Sequence, residues 1–330
     1  MKNKIILPAI LLGLYLLCGC TPEPSTMIRP PFLKPGDKVA IVAPSYRLQD
    51  SLLVKACDCL SFFGFEPVAG PHVSDRYPDG DDTLSFYAGP TEDRVADLKW
   101  ALADSSIKAI ICARGGYGAI QDLQEMSLAD FRRHPKWIVG YSDITALHMA
   151  SVKAGVMSIH GNMCSNLGAN GLDEVGNDAM LRLLSGRMPQ YDIPANGFNS
   201  CGKAQGTLIG GNMITLISLL GSEFDCLDGR DCILFVEEVG ESMHAIDRLF
   251  NMLKLQDRMK DIKGIVFGDF TDCGEEFAWS SVEEMLHGYT AGLGIPVAYG
   301  FTAGHGDLNL PLVEGATVTL TVTPDGAHLE

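Results

Sequence analysis

The chain has 330 residues, 25 basic and 41 acidic side chains, a net charge of −16 and 46% hydrophobic content. That acidity excludes a partner bound through a phosphate backbone, so no nucleic acid is expected, and it excludes a basic membrane-binding face. The length allows two ordinary domains, and the apolar share is that of a chain with a full core.

Lys2 and Lys4 precede an apolar run from Ile5 to Leu17, broken by Pro8 and Gly13. This is the charged-then-apolar order of a signal peptide, and the run falls short of the roughly 20 residues of a spanning helix. It ends in Leu17-Cys18-Gly19-Cys20, which resembles a bacterial lipobox. The expectation is cleavage before Cys20 and a lipid anchor on its thiol. Cys18 is unusual before the glycine and leaves ordinary cleavage open. Residues 1–19 are then a signal peptide and 20–35 a Pro-rich tether. The protein is expected in the cell envelope, periplasm-facing or at the cell surface, touching membrane only through the lipid. No C-x-x-C pair occurs, and no carboxylate/histidine spacing suggests zinc, so no metal and no cofactor are expected.

Residues 38–44 read as a buried strand ended by Pro44. Residues 50–63 read as a helix, with Leu52, Leu53, Ala56 and Leu60 at helical spacing. Residues 66–69 are a short strand, and 74–82, rich in Asp, Gly and Pro, a loop. Thr91-Glu92-Asp93 opens a helix with Val95, Leu98 and Leu102 on one face. Residues 107–113 are a strand running into Arg114-Gly115-Gly116-Tyr117-Gly118. Helix 119–125, strand 137–141, helix 143–154 and strand 156–160 follow. Apolar strands alternating with helices predict an α/β fold with a covered parallel sheet, whose ligands bind at the carboxyl ends of the strands.

Residues 165–205 are rich in Asn, Gly and Pro around one helix near 176–186. The domain division is placed there: 36–190, a linker at 191–203, and a second α/β domain at 204–330. In the latter, strand 206–209 meets a helix reaching about 220, and strand 232–236 ends in Glu237-Glu238. Helix 243–255, strand 264–267, helix 280–291, short strand 295–298 and the loop 304–309 follow. Residues 317–322 alternate with period two, as in an edge or hairpin strand.

Within Val139-Gly140-Tyr141-Ser142-Asp143-Ile144-Thr145, Gly140 permits an abrupt turn after a strand. Ser142 would sit at the tip, its hydroxyl beside the free N–H groups of a helix start, which is what a serine nucleophile needs. Serine also caps helices, and Ile144 stands where a G-x-S-x-G elbow has its second glycine. On this stretch alone capping is the simpler reading. A nucleophilic serine needs a base and an orienting acid. Of eight histidines, His72 and His134 lie in polar loops and read as solvated, and His148 reads as packing. His244 and His287 sit on helices, His328 in the tail. His160 ends an apolar strand near the edge that carries Ser142. His305, between Gly304 and Gly306, suits an imidazole that must reach another domain, although a plain surface loop fits equally. Glu237 ends a buried strand, where a carboxylate is costly unless paired. A histidine would satisfy it, as would Arg248 or Lys254. Glu238 should point the other way.

Several segments together resemble the LD-carboxypeptidase family of serine peptidases, which includes murein tetrapeptide carboxypeptidases and microcin C immunity peptidases. They are Gly36-Asp37-Lys38-Val39 with Ala43-Pro44-Ser45, Ala113-Arg114-Gly115-Gly116-Tyr117-Gly118, Gly140-Tyr141-Ser142-Asp143, Gly206-Thr207-Leu208-Ile209-Gly210-Gly211-Asn212, Leu234-Phe235-Val236-Glu237-Glu238, Ile246-Asp247-Arg248 and Gly304-His305-Gly306-Asp307. The resemblance implies a Rossmann-like N-terminal domain and a second α/β domain, with the site in the cleft between them. It implies Ser142 as nucleophile, His305 as base and Glu237 as orienting acid. The backbone N–H of Asp143 and one of Gly115 or Gly116 would form the oxyanion hole. Arg114 is a candidate for the terminal carboxylate, its alternative being a structural arginine, and Tyr117 and His160 are further candidates for the substrate. The expected substrate is a murein peptide. The alternatives are a nucleotide-linked peptide, for which Trp279 is the one tryptophan able to reach a cleft, and a non-catalytic, lipid-anchored binding protein. Family members are often dimers, so a homodimer is among the expectations. The export signal departs from the cytoplasmic members that recycle murein.

Overall fold

The computed structural model describes residues 27–78, 87–227, 229–274 and 278–330. The signal segment, Cys20 and part of the loop at 74–82 lie outside them. The first sheet contains β1 (Lys38–Val42), β2 (Glu66–Ala69), β3 (Ile107–Cys112), β4 (Trp137–Gly140) and β5 (Ser158–His160), all parallel. Their order is 2-1-3-4-5, so the topological switch falls between β1 and β3. The loops after those two strands, at Pro44-Ser45 and Arg114-Gly115-Gly116, therefore flank the crevice where such sheets bind ligands.

The helices between these strands follow the apolar spacing. Helix Thr91–Ala103 buries Val95, Leu98 and Leu102 as expected. Helix Asp50–Phe63 buries Ala56 and Leu60, with Leu52 and Leu53 only half-buried. A left-handed Gly64 closes it.

The second sheet is built from β6 (Tyr191–Pro194), β7 (Gly202–Asn212), β8 (Cys232–Val239), β9 (Ile262–Thr271), β10 (Val297–Tyr299), β12 (Thr317–Thr323) and β13 (Gly326–Leu329). Its order is β10-β9-β8-β7-β12-β13-β6, parallel from β10 to β7 and antiparallel beyond. The hairpin strand expected at 317–322 is thus interior, between β7 and β13. The expected linker 191–203 is not all linker: 191–194 pairs with β13 and closes the sheet's edge.

The expected tether also changes. From residue 27 the chain is packed: Ile28 bridges to Val156, Phe32 stacks on Trp137, Leu33 is buried, and Trp137 Nε1 donates to the Pro31 carbonyl at 3.0 Å. Three apolar side chains in the Pro-rich stretch cover the base of the first sheet.

The two units are joined twice. One core cluster runs from Ala40, Ile110 and Leu147 through Ile209 and Leu234 to Phe267. The chain also returns to the first sheet, where β11 (Leu312–Glu314) pairs antiparallel with β5.

Candidate active site

β4 ends at Gly140 because Ile144 folds back over it; a Cβ there would meet Ile144 Cγ1 at 2.8 Å. The side chain that displaces the second glycine of an elbow motif is therefore what requires the first. Ser142 follows with a φ of 64°, a left-handed conformation that costs a non-glycine residue energy and aims its side chain off the helix axis. A 3-10 turn (Ser142–Ile144) and helix Thr145–Lys153 continue the chain.

Gly115 lies against this serine. A Cβ on it would come 3.0 Å from Ser142 Cβ and 3.3 Å from Oγ. Gly116 has a φ of 117°, and a Cβ on it would meet the Tyr46 ring at 2.3 Å. Both glycines bring backbone to where a side chain would not fit. Asp143 follows Ser142 in the same turn. It is buried, accepting from Ser45 Oγ at 2.5 Å and from the Ala119 N–H at 2.9 Å. Burial raises its pKa against those two bonds. Asp143 thus ties the Ser142 turn to both switch-point loops, and the Tyr46 N–H donates to the Gly115 carbonyl at 3.2 Å.

The second unit supplies the acid and the imidazole. Glu237 is fully buried at the end of β8, and its Oε2 lies 2.7 Å from His305 Nδ1. Opposite it, β9 carries one extra residue between Phe267 and Phe270, a bulge that re-aims side chains. Glu238 points the other way, as expected. It takes Asn212 Nδ2 at 2.7 Å and the Ile214 and Val239 N–H groups at 2.9 Å each. Burial opposes charge on His305, but the Glu237 hydrogen bond and charge, with Glu238 and Asp269, outweigh it and raise its pKa. A raised pKa and a carboxylate on Nδ1 leave Nε2 as the basic atom.

The His305 ring packs at 5.1 Å, tilted by 57°, against Tyr141, the residue before Ser142. Its flanking glycines have a reason that the sequence did not suggest: a Cβ on Gly304 would meet Glu237 Oε2 at 2.8 Å, and one on Gly306 would meet Asp269 Oδ2 at 2.5 Å. The loop is pressed onto two carboxylates rather than left open. Burial raises the Asp269 pKa to about 6.

Residues 39–161 match the model of the LD-carboxypeptidase N-terminal domain, and residues 205–320 that of the C-terminal domain. The chain belongs to the LD-carboxypeptidase family. It is 30% identical to a protein of Bacillus subtilis named "Probable murein peptide carboxypeptidase", over 92% of this chain and 94% of that protein. Its fold superposes on the muramoyltetrapeptide carboxypeptidase from Oxalobacter formigenes with a TM-score of 0.76 at 25% identity, over 88% of this chain and 97% of that one. A MccF-like protein from Bacillus anthracis gives 0.78 at 26% identity, over 92% of this chain and 98% of that one.

This LD-carboxypeptidase, a serine-type hydrolase of two α/β units, keeps some expected residues at the site and removes one. Arg114 is exposed beside the Gly115 turn, its guanidinium 5.9 Å from the Tyr46 ring centre. Tyr117 is 47% exposed and lines, with Ser142, a pocket of about 300 Å³. His160 is corrected. It is fully buried, packed on Tyr141 and Phe235, so it has no surface to offer a substrate. Burial lowers its pKa to about 3. The neutral ring instead meets Asn309 Oδ1 at 3.2 Å, and that oxygen accepts from the Gly304 N–H at 3.0 Å. His160 thus steadies the His305 loop from behind. The sequence reading missed Asn309, Ser45 and Asp269; Asn309 could have been suspected from its place at the end of the His305 loop.

Two other expectations shift. Trp279, considered as an aromatic platform, packs half-buried on the core. His72 is not simply solvated: its Nδ1 lies 2.9 Å from Asp97 Oδ1. Among the described residues, ligand atoms of His72, Asp75 and Asp93 all lie within 4.8 Å of one another, in a group apart from Ser142. His148 is buried, as expected of a packing residue, its Nε2 2.8 Å from the Gly140 carbonyl oxygen.

Proposed function

We propose that the enzyme removes the terminal D-alanine of murein tetrapeptides, with Ser142 as nucleophile, His305 as base and Glu237 as the acid that orients it. The observation that carries the reading is the 2.7 Å pair of buried Glu237 and half-buried His305, against the neighbour of a serine held at positive φ. His305 Nε2 takes the proton of Ser142 Oγ as the oxygen attacks the carbonyl before D-alanine. The N–H groups of Asp143 and of Gly115 or Gly116 receive the negative oxygen, each donor lowering the barrier by about 3–4 kcal/mol. His305 then protonates the leaving amine, and water resolves the acyl-enzyme. Arg114, with its planar fork, receives the terminal carboxylate. The murein assignment is supported by the names of the Bacillus and Oxalobacter relatives.

The test is D-alanine release from L-Ala-D-Glu-diaminopimelate-D-Ala, followed by mass spectrometry with Ser142→Ala as control. Release that vanishes in the variant supports the reading. No release from protein that a covalent serine probe still labels at Ser142 would turn the search to nucleotide-linked peptides, and no labelling would favour a binding protein. We further propose an envelope protein anchored by lipid on Cys20. Incorporation of labelled palmitate that Cys20→Ala abolishes is the expected result, and unlabelled, soluble protein the contrary one.

A further inference from the structure

The pocket that reaches Ser142 is walled by Gly116, Tyr117, Asn212, Thr215, Glu238 and Glu241, among others, and among the described residues no Lys, Arg or His lines it. Most of its polar groups are committed. The Asp143 carboxylate is held by Ser45 and Ala119, and Glu238 by Asn212, Ile214 and Val239. Asn212 Oδ1 accepts from the Thr215 N–H and hydroxyl, and the Ser218 hydroxyl donates to the Ile214 carbonyl. Glu241 differs. It is half-buried just beyond the end of β8, and among the described residues its carboxylate meets no hydrogen-bond or ion-pair partner. The pocket beside the nucleophile therefore offers one uncommitted charge, and that charge is negative.

A carboxypeptidase substrate carries a carboxylate on the residue it loses, which an anionic wall repels. That residue therefore belongs on the Arg114 side of Ser142, and the pocket receives the side chain on the acyl side. In a stem tetrapeptide this is the third residue, whose arm ends in an amine. We infer that Glu241 is a specificity residue that binds the side-chain ammonium of the third residue. The inference rests on the murein reading above and narrows it. A lysine arm presents an ammonium alone. A diaminopimelate arm carries a carboxylate beside its amine, and the pocket holds no cation to meet it. The site thus favours lysine, or diaminopimelate with that carboxylate amidated, over free diaminopimelate.

The test compares kcat/KM for D-alanine release from L-Ala-D-Glu-X-D-Ala, with X lysine, diaminopimelate or Nε-acetyl-lysine. Lysine should exceed acetyl-lysine by about tenfold, mainly through KM, as one charged contact near a surface gives. Diaminopimelate should fall below lysine. In Glu241→Gln the lysine/acetyl-lysine ratio should shrink to about one, and in Glu241→Lys it should invert; acetyl-lysine turnover by the same samples checks that the variants are folded. A wild-type ratio near one, or a ratio retained in Glu241→Gln, overturns the role of Glu241 and leaves the murein reading standing. No release from any of the three overturns both.

Discussion

Gly304 and Glu237 are fitted to one another: a Cβ on the glycine would stand 2.8 Å from the carboxylate oxygen that meets His305 and 2.9 Å from the Glu237 Cβ. The φ of 131° at Gly304 is itself unfavourable for any other residue. Gly304→Ala should therefore push His305 away from its acid. Overpacking of this kind costs about 1–3 kcal/mol, and kcat should fall at least as steeply as stability. Thermal unfolding measured beside kcat checks both; a variant with wild-type kcat would show that the close approach is incidental.

Ser142, the proposed nucleophile, is held in a left-handed conformation. Ser142→Ala should end turnover, a loss on the order of 10³-fold or more, while leaving the melting temperature close to wild type. Ser142→Gly should also be inactive yet melt higher, because relief of a left-handed non-glycine residue is worth about 1–2 kcal/mol. Calorimetry on the two inactive variants separates backbone strain from chemistry.

The raised pKa of His305 sets a pH dependence. The base acts only when neutral, so kcat/KM should rise with pH through a value above that of ordinary imidazole. Glu237→Gln removes the hydrogen-bonded charge that raises it and leaves burial, which lowers it, so the limb should move to lower pH. kcat should fall by roughly 10⁴-fold, as when such an acid is neutralised in a triad. The raised folded pKa also stabilises the fold fully below the ordinary imidazole value, and that contribution is lost as pH rises through the folded value. The Glu237→Gln melting deficit should therefore be larger in mild acid than at alkaline pH. A pH–rate profile that does not move would remove His305 as the titrating base.

Ser45 donates to the buried carboxylate of Asp143 across 98 residues of chain. Ser45→Ala leaves that carboxylate short of a donor, at a cost of about 1–3 kcal/mol. Because Asp143 also holds the Ala119 N–H that follows the Gly115-Gly116 turn, kcat should drop while KM changes little. Ser45→Thr, which keeps the hydroxyl, should restore part of it. Unaltered kcat in a destabilised Ser45→Ala would make the bond purely structural.

The legible parts of this molecule are those with local signals. Val95, Leu98 and Leu102 announce a helix because their spacing is a helical face, and the apolar runs at β1, β3 and β8 announce a covered sheet. Glu237 stands out because a carboxylate after an apolar strand is costly unless paired, whereas Ser142 by itself reads as a helix cap and becomes a nucleophile candidate only beside the other family-like segments. The rest depends on distant partners. β11 is three residues long and ends in Glu314, which is fully buried, its pKa pushed by burial to about 8 against a backbone hydrogen bond from Gly210. A glutamate is read as a surface residue, so nothing in Leu312-Val313-Glu314 points to a buried strand. His160 was misplaced for the converse reason: its strand-end position suggested the cleft, but Tyr141 and Phe235 close over it from elsewhere in the chain. The glycines beside His305 are visible in the sequence but their reason is not, since Glu237 and Asp269, the carboxylates they accommodate, come from other strands.

The return of β11 to β5 has a consequence for synthesis. The sheet that carries Ser142 lacks its edge until residues 312–314 arrive. Pairing over that separation is slow to form, because the intervening loop must first be closed. A nascent chain therefore exposes the open edge of β5 until residues 312–314 have been made. A product truncated before residue 312 lacks the strand that covers it, although it already contains the serine, the acid and the imidazole.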